Sequence, residues 1–156
     1  MPVIALRYGF RQPFRASAEE AFAWCTDFRA SDGDLFQDGR TRTVRRRADD
    51  TVVMTDIPRP GTGGRRITRL VRIFPEELSW TNTHLTGPFR YSQFWYRIES
   101  DGAHRSHLEF RGLKLEHRAK AVPREDVARH ARAEGRSDAA TWRTKLGPAL
   151  EASVGR

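Results

Sequence analysis

The sequence predicts an α+β fold in which a long C-terminal helix lies across a seven-stranded curved antiparallel sheet, with short helices between strands 1 and 2. Three observations predict it: an alternating apolar segment near the start, six strand-like segments separated by turn residues, and a final segment with helical periodicity. Hydrophobic periodicity is the main secondary-structure signal in a single sequence, so the order of these segments sets the order of the elements. At 156 residues, the chain is expected to form one domain over residues 1–156.

The N-terminal segment predicts a strand followed by a helix. Residues 3–11 alternate with a period of two, which places four residues on one face of a strand: Ile4, Leu6, Tyr8 and Phe10. Ser17 and Glu20 then match a capping box, in which the two side chains satisfy backbone N–H groups of the first helical turn. The expected helix begins at Ser17, and its buried face consists of Ala21, Trp24, Cys25 and Phe28. Residues 32–39 are expected to form a loop with at most one short helical turn.

Six strand-like segments follow, each ended by turn-forming residues. They are residues 41–47, 52–57, 66–74, 78–85, 91–99 and 105–115. The Gly-rich turn at 60–64 lacks the Gly-Lys-Ser/Thr ending of a phosphate-binding loop, so it is interpreted as a hairpin turn. Consecutive hairpins of this kind predict an antiparallel meander.

The remainder of the chain, residues 123–154, has the periodicity of an amphipathic helix. Its apolar positions are Val127, Ala131, Trp142, Leu146, Leu150 and Val154. A straight helix over this span would be about 48 Å long, whereas a strand of ten residues covers about 33 Å. Gly135, followed by Ser137 and Asp138, offers a helix end and a new N-cap, so we expect a break there.

Composition limits the functional classes. The net charge is +8, and all but three of the 28 basic residues are Arg. Cys25 is the single cysteine, and the first residues lack the pattern of a secretory signal, so a cytoplasmic protein is expected. No segment approaches the roughly 20 apolar residues of a transmembrane helix. No Cys and His set has zinc spacing, and the acidic loop at 32–38 departs from the calcium-binding pattern, so no metal or cofactor is expected.

Three passages resemble the START-like helix-grip superfamily, which includes polyketide cyclase, lipid-transfer and pollen-allergen-like proteins. They are residues 16–22 with Asp27, residues 75–80 and residues 142–150. The resemblance extends over nearly the whole chain. It implies a cavity between the sheet and the last helix for a small hydrophobic or amphipathic molecule. It does not imply a reaction, because this superfamily holds both carriers and enzymes.

Strand parity selects candidate ligand-binding residues. If the more apolar face of each central strand faces the last helix, the cavity is lined by Arg69, Val71, Trp80, Asn82, His84, Ser92, Phe94, Tyr96 and Phe110, with Trp142 and Leu146 from the helix. Burying the polar groups of Arg69, Asn82 and His84 unpaired would be costly, so they are candidate partners for a ligand's carboxylate or hydroxyl. Alternatively, Asn82 and His84 lie near a strand end and hydrogen-bond a loop.

Two further functions stay open beside small-molecule binding. A cyclase, dehydratase or hydrolase could use His84 as a general base, with Arg69 or Asn82. A cationic patch on the outer face of the sheet could bind nucleic acid or an anionic surface. This predicted patch consists of Arg40, Arg42, Arg46, Arg66 and Arg72. Exposed Arg on a sheet is also ordinary surface composition.

Overall fold

A seven-stranded sheet dominates the structure, a computed structural model that describes residues 2–155. Its strands are β1 (Val3–Phe14), β2 (Thr41–Ala48), β3 (Thr51–Ile57), β4 (Ile67–Phe74), β5 (Ser79–His84), β6 (Gln93–Gly102) and β7 (Arg105–His117). Their order across the sheet is β1-β7-β6-β5-β4-β3-β2, and all neighbours are antiparallel. The predicted fold class is confirmed: six strands form the meander, and β1 pairs with its last strand.

Two short helices connect β1 to β2. They are α1 (Ala18–Thr26) and a 3₁₀ helix (Ala30–Phe36). The predicted capping box begins α1: the Glu20 N–H donates to Ser17 Oγ at 3.2 Å, and the Ser17 N–H donates to Glu20 Oε2 at 2.9 Å. Of the predicted apolar face of this helix, Ala21 and Cys25 are buried and Trp24 is half-buried at the edge of the core. The placement of Phe28 on the helix is wrong, because α1 ends at Thr26, but its side chain is half-buried against the same core.

The core lies between the inner face of the sheet and the helices. The predicted inward parities of β4 to β7 are confirmed by seven buried residues, none more than 8% exposed: Val71, Ile73, Trp80, Phe94, Ile98, Leu108 and Phe110. This follows from the two-residue period of a strand, which sends alternate side chains to the same face. Leu150, from the last helix, is fully buried and completes the same cluster.

The C-terminal helical segment is irregular, but not where the sequence suggested. It consists of α2 (Arg124–Thr141), a π-helical turn (Trp142–Leu146) and α3 (Gly147–Val154). The expected break at Gly135 is wrong, because α2 continues through it. Gly135 is instead explained by close packing: a Cβ there would lie 3.5 Å from Tyr8 Cβ on β1. At the π turn, the Gly147 N–H donates to the Trp142 carbonyl, five residues back.

The predicted cationic patch on the outer face is wrong. Arg42 is opposite Asp56 in the β2–β3 register, and its side chain is only 7% exposed. Arg40 also contacts Asp56, so the side chains of both arginines lie on the inner side of the sheet. Arg72 lies on the opposite, outer face of the sheet and pairs with Asp50 at 3.3 Å. The five arginines therefore do not form one surface, and the basis for nucleic-acid binding is lost.

Candidate ligand-binding cavity

A cavity of about 400 Å³ lies between the sheet and the C-terminal helices. This volume falls within the range of small-molecule sites, which runs from roughly 300 to 1,000 Å³. Most of the residues selected from strand parity line it, namely Arg69, Asn82, His84, Phe94, Tyr96, Phe110, Trp142 and Leu146. The two helical residues are the first and last of the π turn, so that irregularity shapes the wall of the cavity.

Val71, Trp80 and Ser92 do not line this cavity. Val71 is fully buried in the core. Trp80 stacks on Tyr96, with ring centroids 4.9 Å apart, and faces a smaller adjoining pocket of about 130 Å³. Ser92 Oγ accepts a hydrogen bond from the Leu115 N–H at 2.8 Å. These three residues support the walls from behind.

One wall of the cavity is aromatic. The rings of Phe94 and Phe110 are stacked with centroids 5.9 Å apart, and Tyr96 meets Phe110 edge-on at 5.1 Å. Gly112 lies under both phenylalanines: a Cβ there would be 3.0 Å from Phe94 Cδ1 and 3.2 Å from Phe110 Cε1. The missing side chain allows the rings to lie close to the strand, which leaves an apolar surface suited to a planar ring.

The wall formed by Arg40 and Arg69 is cationic. Asp56, 5% exposed, accepts two hydrogen bonds from Arg42 at 2.7 and 2.9 Å and one from Arg69 at 2.7 Å. Arg40 Nη1 donates to Asp56 at 3.3 Å, and Arg40 Nη2 donates to Asp38 at 2.6 Å. Burial opposes ionisation of Asp56, but the Arg42 hydrogen bonds and the nearby guanidinium charges outweigh it and lower its pKa. Three arginines around two aspartates leave this wall positive.

Three polar atoms at this wall are buried without a hydrogen-bond partner among the described residues. They are Arg69 Nε, Asn82 Oδ1 and His84 Nδ1. Arg69 and His84 are register partners on β4 and β5, and Asn82 is two residues before His84 on the same face. The alternative in which Asn82 Oδ1 and His84 Nδ1 bond a loop is not seen. Unpaired buried groups of this kind are rare, so the presence of three around one cavity indicates that a bound ligand supplies the missing hydrogen bonds.

His84 is held neutral at pH 7. Burial, together with the positive charges of Arg69 and Lys114, lowers its pKa to about 4. A neutral imidazole can donate one hydrogen bond and accept another. With so low a pKa it is a poor general base near neutrality, which argues against the catalytic role considered for His84 from sequence.

The helix side of the cavity is acidic, and the sequence analysis missed it. Tyr8 OH donates to Asp138 Oδ2 at 2.9 Å, and Lys114 Nζ lies 2.8 Å from Glu134 Oε2. Burial raises the pKa of Asp138, as does the charge of Glu134, against the Tyr8 hydrogen bond. Two signals were present: Tyr8 is on the inward parity of the first strand, and Glu134 and Asp138 are one helical turn apart. Locally, however, Asp138 has the features of a helix N-cap.

The rim of the cavity also contains residues that strand parity could not select. They are Phe36, Arg40 and Phe89, together with Thr141 on α2. Ile67, on the same face of β4 as Arg69, lines the cavity as well. Phe36 ends the 3₁₀ helix, and the Arg40 guanidinium lies 4.0 Å from the centroid of its ring. Lys145 Nζ donates to the Phe36 carbonyl at 3.1 Å, which connects the rim to the π turn.

Metal and membrane features are not found in the part of the chain that the structure describes. Over residues 2–155, no group of three or more His, Cys, Asp or Glu side chains is placed to hold a metal ion. In the same range, no helix combines the length and apolarity needed to cross a bilayer.

Comparisons with known proteins find the fold but no sequence relative: neither a family model nor a curated protein matches the chain. The Zhui aromatase/cyclase from Streptomyces sp. R1128 is 12% identical, with 97% of this chain and 94% of that one covered, at a TM-score of 0.73. A START superfamily protein from Mycobacterium smegmatis is 15% identical, with 96% of this chain and 97% of that one covered, at a TM-score of 0.64. Norcoclaurine synthase from Thalictrum flavum, in complex with dopamine and hydroxybenzaldehyde, is 8% identical, with 89% of this chain and 86% of that one covered, at a TM-score of 0.62. The chain has the START-like helix-grip fold, as the resemblance implied.

Proposed function

We propose that this helix-grip protein binds a small aromatic molecule that carries an oxygen substituent. The ring would lie on the wall formed by Phe94, Tyr96 and Phe110, and the oxygen would meet the unpartnered atoms of Arg69, Asn82 and His84. The observation that carries the proposal is the grouping of those three atoms at one aromatic cavity.

The energetics favour such a ligand. A buried polar group without a partner costs about 1–3 kcal/mol, and a ligand oxygen that bonds these atoms recovers part of that cost. The aromatic wall adds about 25 cal/mol for each Å² of apolar surface removed from water. A purely aliphatic ligand would leave the polar atoms unpaired, so the site favours ring compounds with hydroxyl or carbonyl groups. The two molecules bound to norcoclaurine synthase are of this chemical class.

The proposal is tested by calorimetric titration of 2-naphthol into two matched variants. Thr141 lines the cavity, whereas Thr144 is exposed, and each donates its hydroxyl to the carbonyl four residues earlier. We expect Thr141→Phe to weaken binding by about tenfold or more, because the ring occupies ligand space. Thr144→Phe is the control and is expected to leave the affinity unchanged. Absence of binding to the wild-type protein, or equal effects of the two variants, would contradict the proposal.

A second candidate function is acid–base catalysis on the bound ligand, favoured by the Tyr8–Asp138 pair that faces the cationic wall. An Asp138 carboxylate with a raised pKa is a competent base for a proton next to a carbonyl, and Arg69 could stabilise the resulting enolate oxygen. We expect wild-type protein to accelerate hydrogen–deuterium exchange at the α-carbons of 2-tetralone, measured by NMR. Asp138→Asn should abolish the acceleration, and Asp126→Asn, at the start of the same helix, should not. Equal exchange with wild-type protein and Asp138→Asn would exclude this role for Asp138.

A further inference from the structure

A second pocket, of about 350 Å³, opens beside the cavity. The two share Arg40, Ile67 and Arg69 as walls. The far side of the second pocket is the loop between β3 and β4, which contributes Pro58, Arg59, Thr62, Gly64 and Arg65. A ligand seated on the aromatic wall can therefore extend a substituent past Arg69 towards this loop.

The charges around the second pocket do not balance. Arg40, Arg59, Arg65 and Arg69 line it against Asp38 and Asp56, which leaves an excess of two positive charges. Both aspartates are already engaged, Asp38 with Arg40 and Asp56 with Arg40, Arg42 and Arg69. Within residues 2–155, no carboxylate oxygen lies within 4 Å of the Arg59 or Arg65 guanidinium. Among the described residues, Arg69 Nε is buried and has no hydrogen-bond partner.

The loop holds Arg59 in place before any ligand arrives. The Thr62 N–H and hydroxyl both donate to the Arg59 carbonyl, at 3.3 and 2.7 Å. The Arg59 side chain packs on Gly39, where a Cβ would lie only 2.8 Å from Arg59 Cδ. Gly39 has a φ of +73°, so the absence of a side chain there serves both the turn and this contact. An ordered side chain loses less conformational entropy when it binds an anion.

From this excess of unpaired guanidinium groups we infer that the second pocket, here called the oxyanion pocket, binds a carboxylate or phosphate carried by the ligand of the main cavity. The inference rests on the proposed function and narrows it to anionic aromatic compounds. Guanidinium groups suit both oxyanions, because their planar fork can donate two hydrogen bonds to one group. Arg59 and Arg65 would supply the outer contacts, and the Arg69 guanidinium at the boundary of the two pockets would supply the inner positive charge.

The inference is tested with three probes of one ring system: 2-naphthol, 2-naphthoate and 2-naphthyl phosphate. We expect the wild-type protein to bind the better of the two anions roughly tenfold more tightly than 2-naphthol at low salt. The double variant Arg59→Ala, Arg65→Ala should lose that preference while retaining 2-naphthol binding. Arg66→Ala is the matched control, since Arg66 is exposed, adjacent in sequence and absent from the walls of both pockets. Both substituted arginines are exposed, so the double variant is expected to fold.

The three probes separate the two proposals. Binding of 2-naphthol with no preference for either anion, or a preference that survives in the double variant, overturns the oxyanion pocket and leaves the proposed function standing. Binding of 2-naphthyl phosphate that depends on Arg59 and Arg65, without any 2-naphthol binding, supports the oxyanion pocket and contradicts the aromatic site. The ranking of naphthoate against naphthyl phosphate identifies which oxyanion the pocket favours. An anion preference that falls as salt is raised supports the electrostatic origin.

Discussion

Asp56→Ala is expected to lower the free energy of unfolding by about 3 kcal/mol or more. Asp56 is the shared counterion of Arg40, Arg42 and Arg69. The side chains of Arg42 and Arg69 are only 7% and 14% exposed, so without the carboxylate two buried cations would face each other unpaired. Removing one partner of a buried ion pair is far more costly than the pair's net contribution, because the remaining charge keeps its desolvation cost.

Urea denaturation of Asp56→Ala and of a control, Asp50→Ala, measures this effect. Asp50 also pairs with an arginine, Arg72, at 3.3 Å, but both side chains are about half exposed. Solvent screens an exposed pair, so the control should change the midpoint far less. Similar midpoints for the two variants would mean that the Arg42 and Arg69 charges are solvated without Asp56, and the cationic wall would then need another explanation.

The pH dependence of stability should show two separate windows. The pKa of His84 is about 4 in the folded protein against an ordinary 6.5, so its contribution is present above pH 6.5 and is lost as the pH falls towards 4. The pKa of Asp56 is also lowered, so its contribution is present above the ordinary carboxyl range and is lost at still lower pH. Asp56→Asn should reduce the second loss, to which Asp38 and Asp50 also contribute through their lowered pKa values, and should leave the first, which distinguishes the two groups within the same denaturation series.

The sequence predicted the inner face of the central strands because those strands alternate strongly. On β6, for example, Phe94, Tyr96 and Ile98 fall on one parity and Arg97 and Glu99 on the other. On β2 the same reasoning failed. Residues 41–47 carry Arg at 42, 45, 46 and 47, so both parities are polar and hydrophobicity does not identify the inner face. That face is set by the pairing of Arg42 with Asp56, a contact between strands that periodicity within one strand does not report.

The acidic wall was missed for a related reason. Tyr8 and Asp138 are 130 residues apart, and their hydrogen bond exists only because α2 crosses β1 at Gly135. Read locally, Gly135 and Asp138 match the chemistry of a helix end, since glycine favours C-terminal positions and aspartate favours N-caps. In the folded protein, Gly135 instead allows close packing of α2 on β1, and Asp138 accepts the Tyr8 hydrogen bond. The rim residues Phe36 and Phe89 lie outside the strands, where no two-residue period assigns them a face.

Asn82→Leu is expected to raise the free energy of unfolding by about 1 kcal/mol and, at the same time, to weaken 2-naphthol binding by about tenfold. Both effects come from one atom, the Asn82 side-chain oxygen, which is buried without a hydrogen-bond partner in the part of the chain that the structure describes. Leucine has a similar size and no polar atom to desolvate, so the unliganded fold gains while the ligand loses a hydrogen bond.

Thr83→Leu is the control for the prediction that Asn82→Leu raises stability and weakens binding. Thr83 is the next residue on β5, on the opposite face of the sheet and outside the cavity. It should leave the 2-naphthol affinity unchanged, whatever its effect on stability. Urea denaturation and calorimetry on the same protein preparations measure both quantities. A destabilised Asn82→Leu with wild-type affinity would mean that the amide serves the fold and not a ligand. A stabilised variant with reduced affinity would show that this polar group is kept in the cavity at the expense of stability, as expected of a binding site.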